Sequence, residues 1–480
     1  MKLLFAGSEC APFFKTGGLG DVMGALPKTI AKTIAKTTDN DVRVVLPFFT
    51  GMAEEYKSQL SFVTSFYVKV GWRDQYCGVL KLEMDNVTYY FIDNLYYFDR
   101  PGLYGYYDEG ERWAFFQQAI IEMLEKIGFI PDILHVNDYH TAFIPFLLKE
   151  KYGWINAYQN IKTVLTIHNL QFQGEYGREV LGELFNLDAS YYDDGTVRFD
   201  TAVNFMKTGI LYADKVNTVS PTYASEIQTE AFGQGLDEIL RMHNWKLRGI
   251  LNGIDYERNN PATDKNLVAN YSAKKLKGKV KDKLALQKEF GLPQRKDVPV
   301  IAMVSRLTAQ RGFQLVVSEM QNLVQFDVQV IVLGTGDANF EHDFRYFADT
   351  YPDKVGAAIT FDVGLAQRIY AGADMFLMPS AFEPCGLSQM ISMRYGTLPI
   401  VHQIGGLQDS VQPFNPVTGE GTGFGFHDFS GFYMMQEIQE VLRLYAEPVA
   451  WTKVVKQAMS QDFSWETASQ EYLNMYNELV

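Results

Sequence analysis

Cysteine is scarce in this chain: Cys10, Cys77 and Cys385 are the only three in 480 residues, odd in number and far apart. That pattern argues against a disulfide framework or a cysteine metal site and leaves reduced thiols as the expectation. The seven histidines form neither an HxxxH nor an HExxH set, so no metal site is predicted. Positive charge is also in deficit, with 43 Lys and Arg against 57 Asp and Glu for a net charge of −14, which argues against a nucleic-acid partner. No apolar run approaches a membrane span, and the N-terminus carries one lysine and too short an apolar stretch for a signal peptide. A cytoplasmic protein without a membrane partner is expected. Low-complexity segments and short-period repeats are lacking as well.

Apolar residues, at 47%, are abundant enough for large cores, and the length exceeds what one core organises, so two domains of roughly 200 to 250 residues are expected. Short runs of Val, Ile and Leu recur, each ending in a polar or glycine-containing turn and followed by a helical pattern, as βα units require. In the first half the clearest strands are 2–6, 42–46, 133–136, 164–167 and 215–218. A second series comprises 300–304, 328–333, 358–361, 375–378 and 398–401. The lysine-rich stretch 274–288 reads as a solvated amphipathic helix, and the hinge is expected before it, near 252–261. Two facing, doubly wound α/β domains are the simplest architecture. Ligands of such sheets bind beyond the carboxyl ends of the strands, so an interdomain cleft is expected.

The first strand is followed by Lys15, Thr16, Gly17, Gly18, Leu19, Gly20, Asp21 and Val22. A glycine-rich turn opening a helix leaves backbone N–H groups aimed at one point, with the helix dipole adding partial positive charge and Lys15 a full one. The spacing is neither GxxxxGK[ST] nor GxGxxG. By itself the segment is either an anion cradle or a glycine-lined helix start that lets helix and strand pack closely.

The turns after the other strands carry similar chemistry. Asn137-Asp138-Tyr139-His140 and His168-Asn169-Leu170-Gln171 follow two strands of the first half. Ser305 to Gly312, Gly334 to Asp337 and Pro379 to Ser388 follow strands of the second. Arg306 and Arg311, five residues apart in a strand-to-helix loop, together with Lys15, suit a diphosphate.

These segments resemble the bacterial glycogen synthases and plant starch synthases over nearly the whole chain. The likeness rests on KTGGLGDV, LHVNDYHTA, TIHNLQFQG, the KTGILYADKVNTVSPTYA run from Lys207, LNGID from Leu251, VSRLTAQRG, the ADMFLMPSAFEPCGL run from Ala373 and MRYGTLPIV from Met393. The resemblance implies the GT-B fold of two facing Rossmann-like domains: an acceptor and catalytic domain at 1–251 and a nucleotide-sugar donor domain at 252–455. It also implies a C-terminal helix within 456–480 that packs back on the first domain. The implied reaction moves glucose, with retention, from ADP-glucose to the non-reducing end of an α-1,4-glucan such as glycogen. ADP-glucose is then a substrate, and no cofactor is expected; an oligomer is not predicted.

Residue by residue, the resemblance implies that Lys15, Arg306 and Arg311 meet the diphosphate, with Gly18, Leu387 and Ser388 as neutral donors. Glu383 orients the glucose, Asp138 lies near its 6-hydroxyl, and the carbonyl of His168 lies beneath the anomeric centre. Gly17, Asp21, Asn169, Cys385 and Gly386 complete the substrate contacts. Phe361, ending the strand 358–361, matches the adenine-stacking aromatic. Glu9 and the aromatic segment 96–107 are expected to take the acceptor glucan. Hydrolysis is disfavoured, because neither Asp138 nor Glu383 has a partner carboxylate in a glycosidase arrangement.

Four positions depart from the family pattern: Arg311 stands where lysine is usual, Ala381 where arginine is usual, Asn137 where histidine is common, and Gln408 where arginine or alanine is common. Arg311 keeps the charge and exchanges a compact ammonium for a planar fork. Ala381 removes a charge beside the donor segment, which motivates the alternative of a weakly active or regulatory glucan-binding paralogue. A phosphorylase or an epimerase on the same fold fits less well: the former is much longer and needs a pyridoxal phosphate lysine, and the latter lacks the EPCGL and KTGGLGDV pair.

Overall fold

A computed structural model describes residues 1–35 and 37–480. The chain divides into two units, Met1–Ile250 with Trp465–Val480, and Leu251–Ser464.

The first unit contains β1 (Lys2–Ala6), β2 (Asp41–Pro47), β3 (Ser61–Val70), β4 (Arg73–Met84), β5 (Val87–Asp93), β6 (Ile133–Asn137), β7 (Lys162–Ile167), β8 (Glu175–Tyr176), β9 (Arg198–Phe199), β10 (Ala202–Asn204), β11 (Lys215–Thr218) and β12 (Leu247–Gly249). Nine of these form one sheet in the order β12-β11-β7-β6-β1-β2-β5-β4-β3, parallel from β12 to β5, with β4 and β3 added antiparallel. Chain order reverses at β1, with β2 on one side and β6 on the other. Ala6 pairs with Val136 and Val136 with Leu165, so β1, β6 and β7 end side by side and their following turns converge. A crevice opens at such a reversal, because the two crossovers leave in opposite directions.

Alternation along β1 explains the two apolar layers. Leu3 and Phe5 join the cluster containing Leu19, Val22 and Leu26, whereas Leu4 and Ala6 join that of Trp113, Phe116 and Ile120. Trp465, Tyr472 and Tyr476, from the helix Trp465–Asn477, fill the first layer, and Tyr476 Oη lies 2.6 Å from His135 Nδ1.

The second unit holds β13 (Val300–Val304), β14 (Gln329–Leu333), β15 (Val355–Ala358), β16 (Met375–Met378), β17 (Leu398–His402) and β18 (Phe424–Phe426), all parallel, in the order β15-β14-β13-β16-β17-β18. Here the reversal lies between β13 and β16, which brings the turns 305–312 and 379–387 together. Ala381 N donates to Gln310 O at 2.8 Å and ties them.

Two expectations need correction. The strand placed at 358–361 runs Val355–Ala358, which leaves Phe361 beyond its end and 83% exposed. The lysine-rich segment does form a helix, Lys277–Glu289, but it is not simply solvated. It packs against the helix Val363–Gly372; Lys279 Nζ donates to Ala371 O, Ala373 O and Thr397 Oγ1, and buried Lys283 pairs with Asp374 at 2.8 Å. Burial lowers Lys279 to about 7, because a desolvated ammonium is disfavoured. Among the described residues no helix is long and apolar enough to cross a membrane.

Candidate functional site

In the first unit the turn after β1 leads into the helix Gly18–Ile34, whose first turn carries Asp21. Lys15 Nζ donates to Asp21 Oδ1 at 2.6 Å, with both side chains about a third exposed. A Cβ on Gly20 would strike that of Lys15, so glycine there lets the lysine lie against the helix start. Glu9, expected to meet the acceptor, is hydrogen-bonded within this loop. It is 4% exposed, and its Oε2 accepts the N–H groups of Thr16 at 2.5 Å and Gly17 at 3.1 Å. Two loop donors, that of Gly17 included, are therefore engaged by an internal carboxylate. Gly18 and Leu19, the first residues of the helix, keep N–H groups that have no partner within it.

Asp138 and His168 follow β6 and β7 and meet. Asp138 has φ 57°, a left-handed conformation that aspartate tolerates better than most residues, and its N–H donates to Thr166 O at 3.0 Å. Its Oδ1 accepts the N–H of His168 at 2.8 Å. Burial raises the Asp138 carboxyl to about 7; the backbone N–H groups of His168 and Asn169 oppose that rise, and nearby Glu9 adds to it. His168 is lowered to about 3 by burial and is neutral near pH 7. Its Nε2 lies 2.8 Å from Asn137 Oδ1, while Asn137 Nδ2 donates to Ala6 O at 3.1 Å. An amide oxygen only accepts, so the Nε2 of His168 carries the proton. Asn137 thus links the ends of β1, β6 and β7, a part not visible in its departure from histidine. Asn169 turns its own Oδ1 to the N–H of Gln171 at 3.0 Å.

In the second unit Arg311 Nη1 forms an ion pair with Glu383 Oε2, and Ser380 Oγ donates to the same oxygen at 3.2 Å. Glu383 is 4% exposed, so this pair is the main compensation for a buried charge. The carbonyl of Ser380 in turn faces His402 Nδ1 at 2.6 Å. Ser380 and His402 lay outside the sequence candidates; only the position of Ser380 in the turn after β16 pointed to it. Arg306 is exposed and makes no ion pair among the described residues, so its guanidinium is available to a ligand anion. Phe361 presents its ring to solvent beyond β15. Cys385 is buried and its thiol is pushed up to about 12, chiefly by burial, which suits packing rather than nucleophilic chemistry. Gly386, at φ 72°, turns the chain into the helix Ser388–Arg394, where Ser388 Oγ lies 3.0 Å from Tyr370 Oη.

The structure therefore groups Lys15 with Asp21, Asp138 with His168, and Arg311 with Glu383, and leaves Arg306 and Phe361 free-standing. Among the described residues no group of three or more His, Cys, Asp or Glu side chains is placed to hold a metal ion.

Comparison with known proteins gives a consistent result. Residues 2–242 match the family model described as starch synthase catalytic domain, and 264–451 that of glycosyl transferases group 1. The chain is 98% identical over 480 residues to the glycogen synthase of Ligilactobacillus salivarius strain UCC118, and 58% identical over 480 residues to that of Lactobacillus acidophilus; each alignment covers 100% of both chains. Among solved structures it resembles the catalytic domain of starch synthase IV from Arabidopsis thaliana bound to ADP and acarbose, with a TM-score of 0.92, 30% identity, and coverage of 100% of this chain and 99% of that one. A sucrose-phosphate synthase from Thermosynechococcus elongatus, at 16% identity and a TM-score of 0.62 over 99% of this chain and 98% of that one, shares the fold.

Proposed function

The chain belongs to the glycogen and starch synthase family of glycosyltransferases, and from that premise we propose that it transfers glucose from ADP-glucose to the non-reducing end of an α-1,4-glucan, with retention and release of ADP. The observation that carries the reading is the set of cations in turns at the carboxyl ends of parallel strands, Lys15 after β1 and Arg306 and Arg311 after β13. The starch synthase IV catalytic domain, similar over the whole of this chain and described as bound to ADP and acarbose, supports both the donor and the acceptor class.

Breaking the glycosyl–phosphate bond builds negative charge on the departing ADP, so cations fixed in advance at that phosphate lower the barrier most directly. Lys15, Arg306 and Arg311 take this role, with the N–H groups of Gly18, Leu387 and Ser388 as neutral donors. Arg311 also holds Glu383, whose remaining oxygen orients the glucose hydroxyls. Asp138 accepts from the 6-hydroxyl. The His168 carbonyl steadies oxocarbenium charge, while its neutral ring fixes the turn through Asn137. Phe361 stacks on adenine. Asp21 holds Lys15, Asn169 and Gly386 shape their turns, and Cys385 packs beneath its own. ADP-glucose is the substrate, and no step is assigned to a cofactor.

The test is incubation with radiolabelled ADP-glucose and glycogen, followed by release of label with an α-1,4-specific hydrolase. Incorporation that the hydrolase releases is expected. Absence of incorporation from both ADP-glucose and UDP-glucose, with glycogen still bound, would favour the regulatory paralogue that Ala381 motivates.

A further inference from the structure

Glu9 is buried beside a loop built to meet an anion, and its carboxylate already occupies part of it. Oε2 accepts from Thr16 N and Gly17 N, while Oε1 lies 3.3 Å from Thr16 Oγ1 and accepts from Tyr104 Oη at 3.0 Å. We propose that Glu9 is the positioning residue of the glycine-rich loop: it spends the N–H groups of Thr16 and Gly17 internally, so that Lys15 and the N–H groups of Gly18 and Leu19 face the donor phosphates. Tyr104, Ser8 and His140 hold it there through a one-way chain of hydrogen bonds.

The direction of that chain follows from counting protons. A carboxylate only accepts, so Thr16 N, Gly17 N, the Thr16 hydroxyl and the Tyr104 hydroxyl all donate to Glu9. Tyr104 has one hydroxyl proton and gives it to Glu9, so its oxygen accepts from Ser8 Oγ, 2.6 Å away. Ser8 has then spent its own proton and accepts from His140 Nδ1 at 3.3 Å. His140 is thereby fixed as the Nδ1–H tautomer. Its ring is stacked on Tyr104 at 4.9 Å and meets the edge of Trp113 at 4.7 Å, which leaves it little freedom to turn. Burial lowers His140 to about 3, in keeping with a neutral ring.

Packing closes the loop from the other side. A Cβ at Gly20 would collide with Lys15 and come within 3.1 Å of Glu9 Oε2. The loop is thus pinned between a carboxylate and a helix start, and its geometry precedes any ligand. Such preorganisation matters because donors already in place need no reordering when phosphate charge develops.

This inference rests on the ADP-glucose reading, and it opposes the expectation that Glu9 serves the acceptor. Tyr104→Phe removes one oxygen and keeps the ring, and Glu9→Gln keeps the shape and removes the charge. In both variants amide hydrogen exchange in the loop around Thr16 and Gly17 is expected to quicken about tenfold. The dissociation constant for ADP by calorimetry and the KM for ADP-glucose should rise about three- to tenfold, with the KM for glycogen unchanged. Unaltered loop exchange in both variants, or a rise confined to the glycogen KM, overturns the proposal. A wild-type protein that neither binds ADP nor transfers glucose, with loop exchange still quickened in the variants, overturns the ADP-glucose reading and leaves Glu9 as the brace of the loop.

Discussion

Arg311 and Glu383 face each other as an ion pair across the turns that follow β13 and β16, with the glutamate almost wholly buried. The arginine therefore serves an anion built into the protein, and under the proposed function it serves a second one on the donor. Replacing it separates these duties. Arg311→Ala leaves a buried carboxylate with only Ser380 as partner, which should cost about 2–4 kcal/mol of stability, discounted for the partial exposure of the guanidinium. Arg311→Lys keeps the charge and loses the fork, so most of that stability should return. Turnover of ADP-glucose should fall about tenfold to a hundredfold in the alanine variant. Thermal unfolding and kcat/KM measured together check this, and an alanine variant as stable as wild type sinks the account of Glu383.

Asp138 makes stability depend on pH in a direction opposite to that of most carboxylates. Burial raises it from 3.8 to about 7, so between those values the folded state binds more protons than the unfolded one. Stability then falls as pH rises through that window and levels off above it. Asp138→Asn removes the titration, so its advantage over wild type in urea midpoint should be small at pH 4.5 and grow up to pH 7.5, two values bracketing most of the change. Parallel curves for the two proteins would show that the carboxyl ionises as if exposed.

Gly312 combines a left-handed backbone, at φ 80°, with a close approach to the Pro379 carbonyl, which an added Cβ would strike. Gly291 has nearly the same conformation, φ 68°, with nothing within 4 Å of an added Cβ. Gly291→Ala should therefore report backbone strain alone, about 1 kcal/mol, and Gly312→Ala strain plus collision, about 3 kcal/mol or more. Because the collision would push the turn bearing Arg311 away from the one bearing Glu383, only Gly312→Ala should also lose donor turnover. Equal losses of stability in the two variants would mean that the turns yield easily.

How much of this was legible in the sequence depended on burial. Strands β1, β13 and β16 fall where their apolar runs place them, because a parallel strand covered on both faces reads as continuous hydrophobicity. Strands β3, β4 and β5 were missed: β3 and β4 carry exposed residues and Ser61–Val70 mixes polar and apolar residues without a sustained run, whereas Val87–Asp93 is buried but is built on Thr, Tyr and Phe rather than on a run of Val, Ile and Leu. Strand β15 was displaced because Val355–Ala358 is small and weakly apolar, while the residues after it are larger. The candidate site residues stood out where a charge or glycine occupied a strand end. The bracing of the loop by Glu9 did not, since it depends on where two N–H groups point and on partners 96 and 132 residues from Ser8.

Phe361 offers the cleanest separation of binding from folding. At 83% exposure beyond the end of β15 its ring is no part of the core, so Phe361→Ala should change stability by no more than about 0.5 kcal/mol. A phenylalanine left in water at the same sheet end as Arg306 is well suited to cover an aromatic base, and stacking of that kind is worth about 1–3 kcal/mol. The alanine variant should therefore raise the KM for ADP-glucose about fivefold or more while kcat changes little, because the base keeps the same contact in ground and transition states. Phe361→Tyr should restore the wild-type value. A KM unmoved by alanine, in a protein of unaltered stability, would place the adenine elsewhere; a fall in kcat without a rise in KM would instead tie the ring to the transferring glucose.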